Sequence, residues 1–148
     1  MLIARKTTRR HAAAQFLVCA TGCCCGRVDK GKPAVPVAWL KAEWKTRRLN
    51  PRVQLTISEC LGPCDLMNVV GVLSESVPIW LGGVVEQAHF DSLLTWAEAS
   101  RDAQKLEPIP ELLASLQFNR FPSLLPVSAP SFALPDSISN TLDLEIAT

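Results

Sequence analysis

Phe16-Leu17-Val18-Cys19-Ala20-Thr21-Gly22-Cys23-Cys24-Cys25-Gly26 carries an apolar run straight into a cysteine-rich turn, and Glu59-Cys60-Leu61-Gly62-Pro63-Cys64-Asp65 supplies the other cysteines; between them these loops hold all six cysteines of the chain. Four follow the spacing Cys19-x4-Cys24-x35-Cys60-x3-Cys64. Two close pairs separated by a domain-sized gap are the pattern with which a fold grips a metal centre from two loops. Thiolate is a soft ligand that selects iron-sulfur clusters, zinc or copper(I), and four thiolates are the usual complement of a two-iron cluster. Cys19, Cys24, Cys60 and Cys64 are therefore the candidate ligands of a [2Fe-2S] cluster, with Cys23 and Cys25 as alternates in the triplet. Glycines 22, 26 and 62 and Pro63 allow the sharp turns that aim backbone N–H groups at sulfur, which stabilises its negative charge.

Working outward from the loops, Phe16 to Cys19 reads as a strand. From about Val35 to Leu49 the spacing predicts a helix, with Val37, Leu40 and Trp44 on one face. Pro36 suits its first turn, Lys45, Arg47 and Arg48 complement its C-terminal dipole, and Asn50-Pro51 stops it. Val53 to Ile57 is then a strand that delivers Cys60. Val69 to Leu73 and Val77 to Leu81, separated by Ser74-Glu75-Ser76, read as a hairpin. Glu86 to Ala99 sets Phe90, Leu93, Leu94 and Ala97 on one helical stripe. The order predicts an α/β sandwich: a four-stranded mixed sheet with two main helices. A strand, helix, strand crossover also brings both cysteine loops to one end of the sheet.

At these residues the sequence resembles the thioredoxin-like [2Fe-2S] ferredoxins, a family that includes the small iron-sulfur subunit of respiratory complex I. The likeness runs from about Phe16 to Ser100, through Cys60-Leu61-Gly62-Pro63-Cys64, Val69-Val70-Gly71-Val72-Leu73 and Trp80-Leu81-Gly82-Gly83. More narrowly, Cys24-Cys25-Gly26-Arg27, Lys30-Gly31-Lys32-Pro33 and Trp39-Leu40-Lys41-Ala42-Glu43-Trp44 resemble small bacterial ferredoxin-like proteins sometimes associated with cobalt chelatase. The resemblance implies a thioredoxin-like fold and a cluster held by Cys19, one triplet cysteine, Cys60 and Cys64. The triplet departs from the family's single ligand at that place; spacing selects Cys24, with Cys23 next. It further implies a one-electron carrier to a redox protein partner, a chelatase or an oxidoreductase. The alternative is an accessory or redox-sensing cluster module of a cofactor-biosynthesis or metal-chelatase complex, and after it a structural zinc-binding interaction domain.

Other readings compete. Zinc also takes four thiolates tetrahedrally, although the C-x2-C knuckles commonest for it are absent. A disulfide framework needs an oxidising setting, and three adjacent cysteines invite mispairing. The C-x-x-C of a redox dithiol is absent, because both pairs are spaced differently. Against an independent enzyme, His11 and His89 lie far apart without a nucleophile-base signature, and Gly82-Gly83 lacks the context of a phosphate loop. His89, at the start of the last helix, suits an exposed or capping role.

With 148 residues, 48% of them hydrophobic, and a net charge of +1, the chain suffices for one core. The near-neutral balance hides a dipole: residues 1–52 hold 12 Lys or Arg against Asp29 and Glu43, and residues 53–148 hold three bases against 12 acids. A basic half of this kind can steer an acidic redox partner, although the solvated faces of ordinary helices give the same imbalance; no stacked-aromatic pattern supports nucleic acid. No apolar run reaches the length of a membrane span. The N-terminal Arg5, Lys6, Arg9 and Arg10 before Ala12 to Ala20 imitate a short secretory signal, but cleavage would remove Cys19, so a cytoplasmic location is expected. The expected organisation is a basic extension over 1–14, the cluster domain over 15–100 and a Pro-rich flexible tail over 101–148. Within that tail, Glu111 to Gln117 can form a short amphipathic turn, and Phe118, Phe121, Leu124 and Leu125 a docking segment.

Overall fold

A computed structural model describes residues 4–122. The elements are β1 (Ala14–Cys19), α1 (Val37–Thr46), β2 (Val53–Ser58), β3 (Val70–Leu73), β4 (Ile79–Leu81), α2 (Gln87–Ala103) and α3 (Glu111–Ala114). The sheet order is β2-β1-β3-β4. β1 pairs parallel with β2 and antiparallel with β3, and β3 pairs antiparallel with β4. This is the expected mixed α/β architecture of four strands and two main helices.

Alternation along β1 decides the layering. Ala14, Phe16 and Val18 are buried on one face, while Gln15 and Leu17 on the other are half-buried. Phe16 stands between Trp44 of α1 and Trp96 of α2, edge to face, with ring centroids 5.5 and 5.4 Å away. Both helices therefore pack on the same face of the sheet, and these aromatic pairs add to the burial term. Each indole has a polar partner: Trp44 Nε1 donates to the Val53 carbonyl at 2.9 Å, and Trp96 Nε1 to the Glu107 carbonyl at 2.7 Å. Arg47 ties the helices together at their rim through Glu43 of α1 and Glu98 of α2.

α1 is shorter than its periodicity suggests. It starts after Pro36, which cannot donate and serves as the N-cap, and it closes at Arg47 and Arg48, the latter at φ 53°, so that Leu49 turns inward to full burial. α2 begins with a capping box: the Glu86 side chain takes the His89 N–H, and His89 Nδ1 accepts from the Glu86 N–H at 3.2 Å. His89 is thus a capping residue, and a buried one.

The helix continues past Ser100 to Ala103, and the segment beyond it packs on the domain. Leu113 is fully buried in the main core, with Leu106, Ile109 and Leu116 against it. Gln117 forms a bridge with Leu81, the Gly82 N–H donates to the Leu116 carbonyl at 3.0 Å, and the Phe118 N–H to the Trp80 carbonyl at 2.9 Å. The part of the proposed tail up to Phe118 is therefore a strap closing the sheet edge at β4. Leu124, Leu125 and the later prolines lie outside the described residues. Among the described residues no helix is long and apolar enough to cross a membrane.

Candidate metal centre

Parallel pairing explains how distant cysteines meet. The β1/β2 ladder ends at Cys19 opposite Ser58, so both strands release their loops at the same end, where antiparallel β3 begins. The Cys19 N–H donates to the Val69 carbonyl at 3.0 Å and the Ala20 N–H to the Ser58 carbonyl at 3.1 Å, extending the sheet into the loops. Gly22 then allows the loops to touch: a Cβ there would stand 2.9 Å from Cys60 Cα. Gly26, at φ +66°, folds the first loop back so closely that a Cβ would lie 2.7 Å from the Ala20 carbonyl oxygen.

Asn68 fastens the arrangement. It is 2% exposed and has φ 42°, a left-handed conformation that Asn tolerates better than most residues. Its Oδ1 accepts the Gly26 N–H at 3.1 Å, and its Nδ2 donates to the carbonyls of Val84 at 3.2 Å and Pro33 at 3.4 Å. One side chain thereby joins the first cysteine loop, the approach to α1 and the approach to α2.

The sulfur atoms form a contiguous group. Cys23 Sγ lies 3.0 Å from Cys64 Sγ, which lies 3.3 Å from Cys60 Sγ; Cys24 Sγ lies 3.6 Å from Cys25 Sγ. The sulfurs of Cys23, Cys24 and Cys64 are all within 4.8 Å of one another, and these close cysteines can hold a metal ion. Thiolates sharing one tetrahedral ion at a metal–sulfur distance of about 2.3 Å stand about 3.8 Å apart, so shifts of no more than about 1 Å bring Cys23, Cys24 and Cys64 to such spacing, while Cys60 has further to move.

The protons are unevenly held. The Cys64 thiol, hydrogen bonding to Cys23, has its pKa pushed strongly up by the Cys23 and Cys60 sulfurs beside it. Cys23, beside the Cys64 sulfur, is shifted the other way, below the usual thiol range. Burial pushes Cys24 and Cys25 up. A soft cation arriving here displaces the protons of the cysteines that bind it.

Of the four ligands expected from spacing, Cys24 and Cys64 lie in the close group and Cys60 adjoins it, with Cys23 exposed and Cys24 7% exposed. Cys19 is not in the group; 1% exposed, it lies beside Cys25 in the small apolar cluster with Val69. Cys23, second by spacing, occupies the place nearest Cys64. Asn68 was invisible from the sequence, since its three partners lie 16 to 42 positions away; its only local signal is that Asn tolerates a left-handed turn. No family model matches the chain, and neither does any curated protein or solved structure.

Proposed function

We propose that this chain is a [2Fe-2S] protein of the thioredoxin-like ferredoxin type, working as a one-electron carrier to a partner enzyme. The observation that carries the reading is the convergence of Cys23, Cys24 and Cys64, with Cys60 3.3 Å from Cys64, from two loops at one end of a sheet. Cys60 and Cys64 would supply two ligands and Cys24 a third; proximity gives Cys23 the fourth place, which spacing gives to Cys19. When bound, such a cluster supplies a reversible one-electron couple whose potential responds to charge, hydrogen bonds and exposure.

The chain's own residues prepare for it. Gly22 lets the loops abut, Asn68 fixes the first loop, and the exposure of Cys23 and Cys60 leaves the site open to a redox partner. Lys30 and Lys32, both exposed just after the first loop, suit a partner with an acidic face. On this reading any turnover belongs to the partner. A structural zinc site is the second reading, favoured by the compactness of three sulfurs around one point.

Analysis of anaerobically purified protein for iron, zinc and acid-labile sulfide, beside the EPR spectrum after dithionite reduction, tests the assignment. Two irons and two sulfides per chain with a reduced-state signal are expected. Zinc without sulfide, persisting after reconstitution with iron and sulfide, would overturn the cluster and leave the zinc reading.

A further inference from the structure

The strap that follows α2 ends beside the second cysteine loop. Phe118, anchored to the Trp80 carbonyl, packs in the cluster that contains Leu61, Cys64 and Val69, with its ring centroid 6.4 Å from that of Trp80. Two residues on, the partly buried Arg120 guanidinium lies 5.9 Å from the Trp80 ring centroid and 5.5 Å from that of Phe121. It also rests on Gly62, midway between Cys60 and Cys64: a Cβ at Gly62 would stand 2.6 Å from Arg120 Nη2. Gly62, at φ +113°, is where the loop bends in a conformation that favours glycine, and the missing side chain leaves the space the guanidinium fills.

The charge setting makes this contact more than packing. The loop's flanking charged residues, Glu59 and Asp65, are both acidic. Among the described residues no carboxylate forms an ion pair with Arg120. A guanidinium is charged at every working pH, and seating it on an aromatic face orders it.

We propose that Arg120 is the positioning cation of the centre: it clamps the Cys60–Cys64 loop from the strap and offsets the negative charge that thiolate ligation gathers there. The inference rests on the cluster reading for its electrostatic half and on the strap contact alone for its mechanical half. Four thiolates leave a two-iron cluster anionic, and reduction adds one electron, taken from the external donor, without breaking a bond to the protein. A fixed cation one loop away favours the more negative state.

The test compares the full-length wild type with R120Q and R120K in three measurements: iron and sulfide content, an EPR-monitored redox titration, and hydrogen exchange of the backbone amides from Cys60 to Leu66. R120Q should make reduction about tenfold less favourable, a shift of about 59 mV to more negative potential. R120K should stay close to the wild type in potential, and loop exchange should be faster in R120Q. An R120Q that matches the wild type in both potential and loop exchange overturns the proposal. If R120Q loses its cluster, R120K retaining it together with faster R120Q loop exchange supports the clamp, whereas wild-type exchange in the R120Q loop overturns it. A wild type without iron or sulfide sinks the cluster reading by itself, and loop exchange then decides on the clamp.

Discussion

Cys64 is the most connected sulfur of the site, 3.0 Å from Cys23 and 3.3 Å from Cys60 and grouped with Cys24, so its removal breaks more of the donor set than any other single change. Cys64→Ser should abolish metal retention through desalting, measured as metal per chain. Cys23→Ser should do nearly as much, while Cys19→Ser and Cys25→Ser should leave the metal content near that of the wild type, because their sulfurs lie outside the group of Cys23, Cys24 and Cys64. Loss of metal from Cys19→Ser with retention in Cys23→Ser would return the fourth place to Cys19, as the x4 spacing has it. Spacing along the chain identifies the loops and their chemistry, since thiolate preference belongs to the residue. Which sulfur of a triplet turns outward is a matter of backbone direction at Gly22 and Gly26, and that is set by contacts with Cys60 and Ala20 across the fold.

At the scale of elements, the strands and helices around the loops follow from local pattern: a period of two in β1, and the Leu40 and Trp44 face in α1. The segment after Ser100 does not. Its prolines at 108 and 110 forbid a continuous helix, which locally resembles a tail, yet the same prolines fix an extended lead into α3 and deliver Leu113 to a fully buried position. What binds the strap is the core that receives Leu113, the edge of β4 at Leu81 and the Trp96 indole, whose N–H reaches the Glu107 carbonyl, and none of these is legible from residues 101–118 themselves. Leu113→Ala should therefore lower the unfolding free energy by about 2–5 kcal/mol, the usual cost of emptying a core leucine site. Urea denaturation read by circular dichroism measures it. A change below about 0.5 kcal/mol, typical of an exposed surface position, would show that the strap is peripheral.

For the whole molecule, placing six thiols at one end of the sheet makes stability and metal loading respond to pH in opposite senses. In the metal-free protein, burial raises Cys24 and Cys25, and the neighbouring sulfurs raise Cys64, above the ordinary thiol value of about 8.5. A raised pKa contributes stability that is complete below the unfolded-state value and is lost as pH climbs through the folded one. Cys23, held low by the Cys64 sulfur beside it, works the other way: its contribution is present above the unfolded value and lost as pH falls through the folded one. Three raised groups, two of them buried, outweigh one exposed lowered group, so the apo protein should become less stable above about pH 8.5. Metal binding requires the thiolates and releases their protons, so affinity rises with pH. A ligand present at a hundred times its dissociation constant stabilises the fold by about 2.7 kcal/mol, and that increment grows as affinity grows. Thermal melts of metal-free and metal-loaded protein from about pH 6 to about pH 10 should therefore show a gap in Tm that widens steadily with pH. A gap that stays constant over that range would mean that no cysteine changes protonation on binding, and the metal would have to be held somewhere other than this sulfur group.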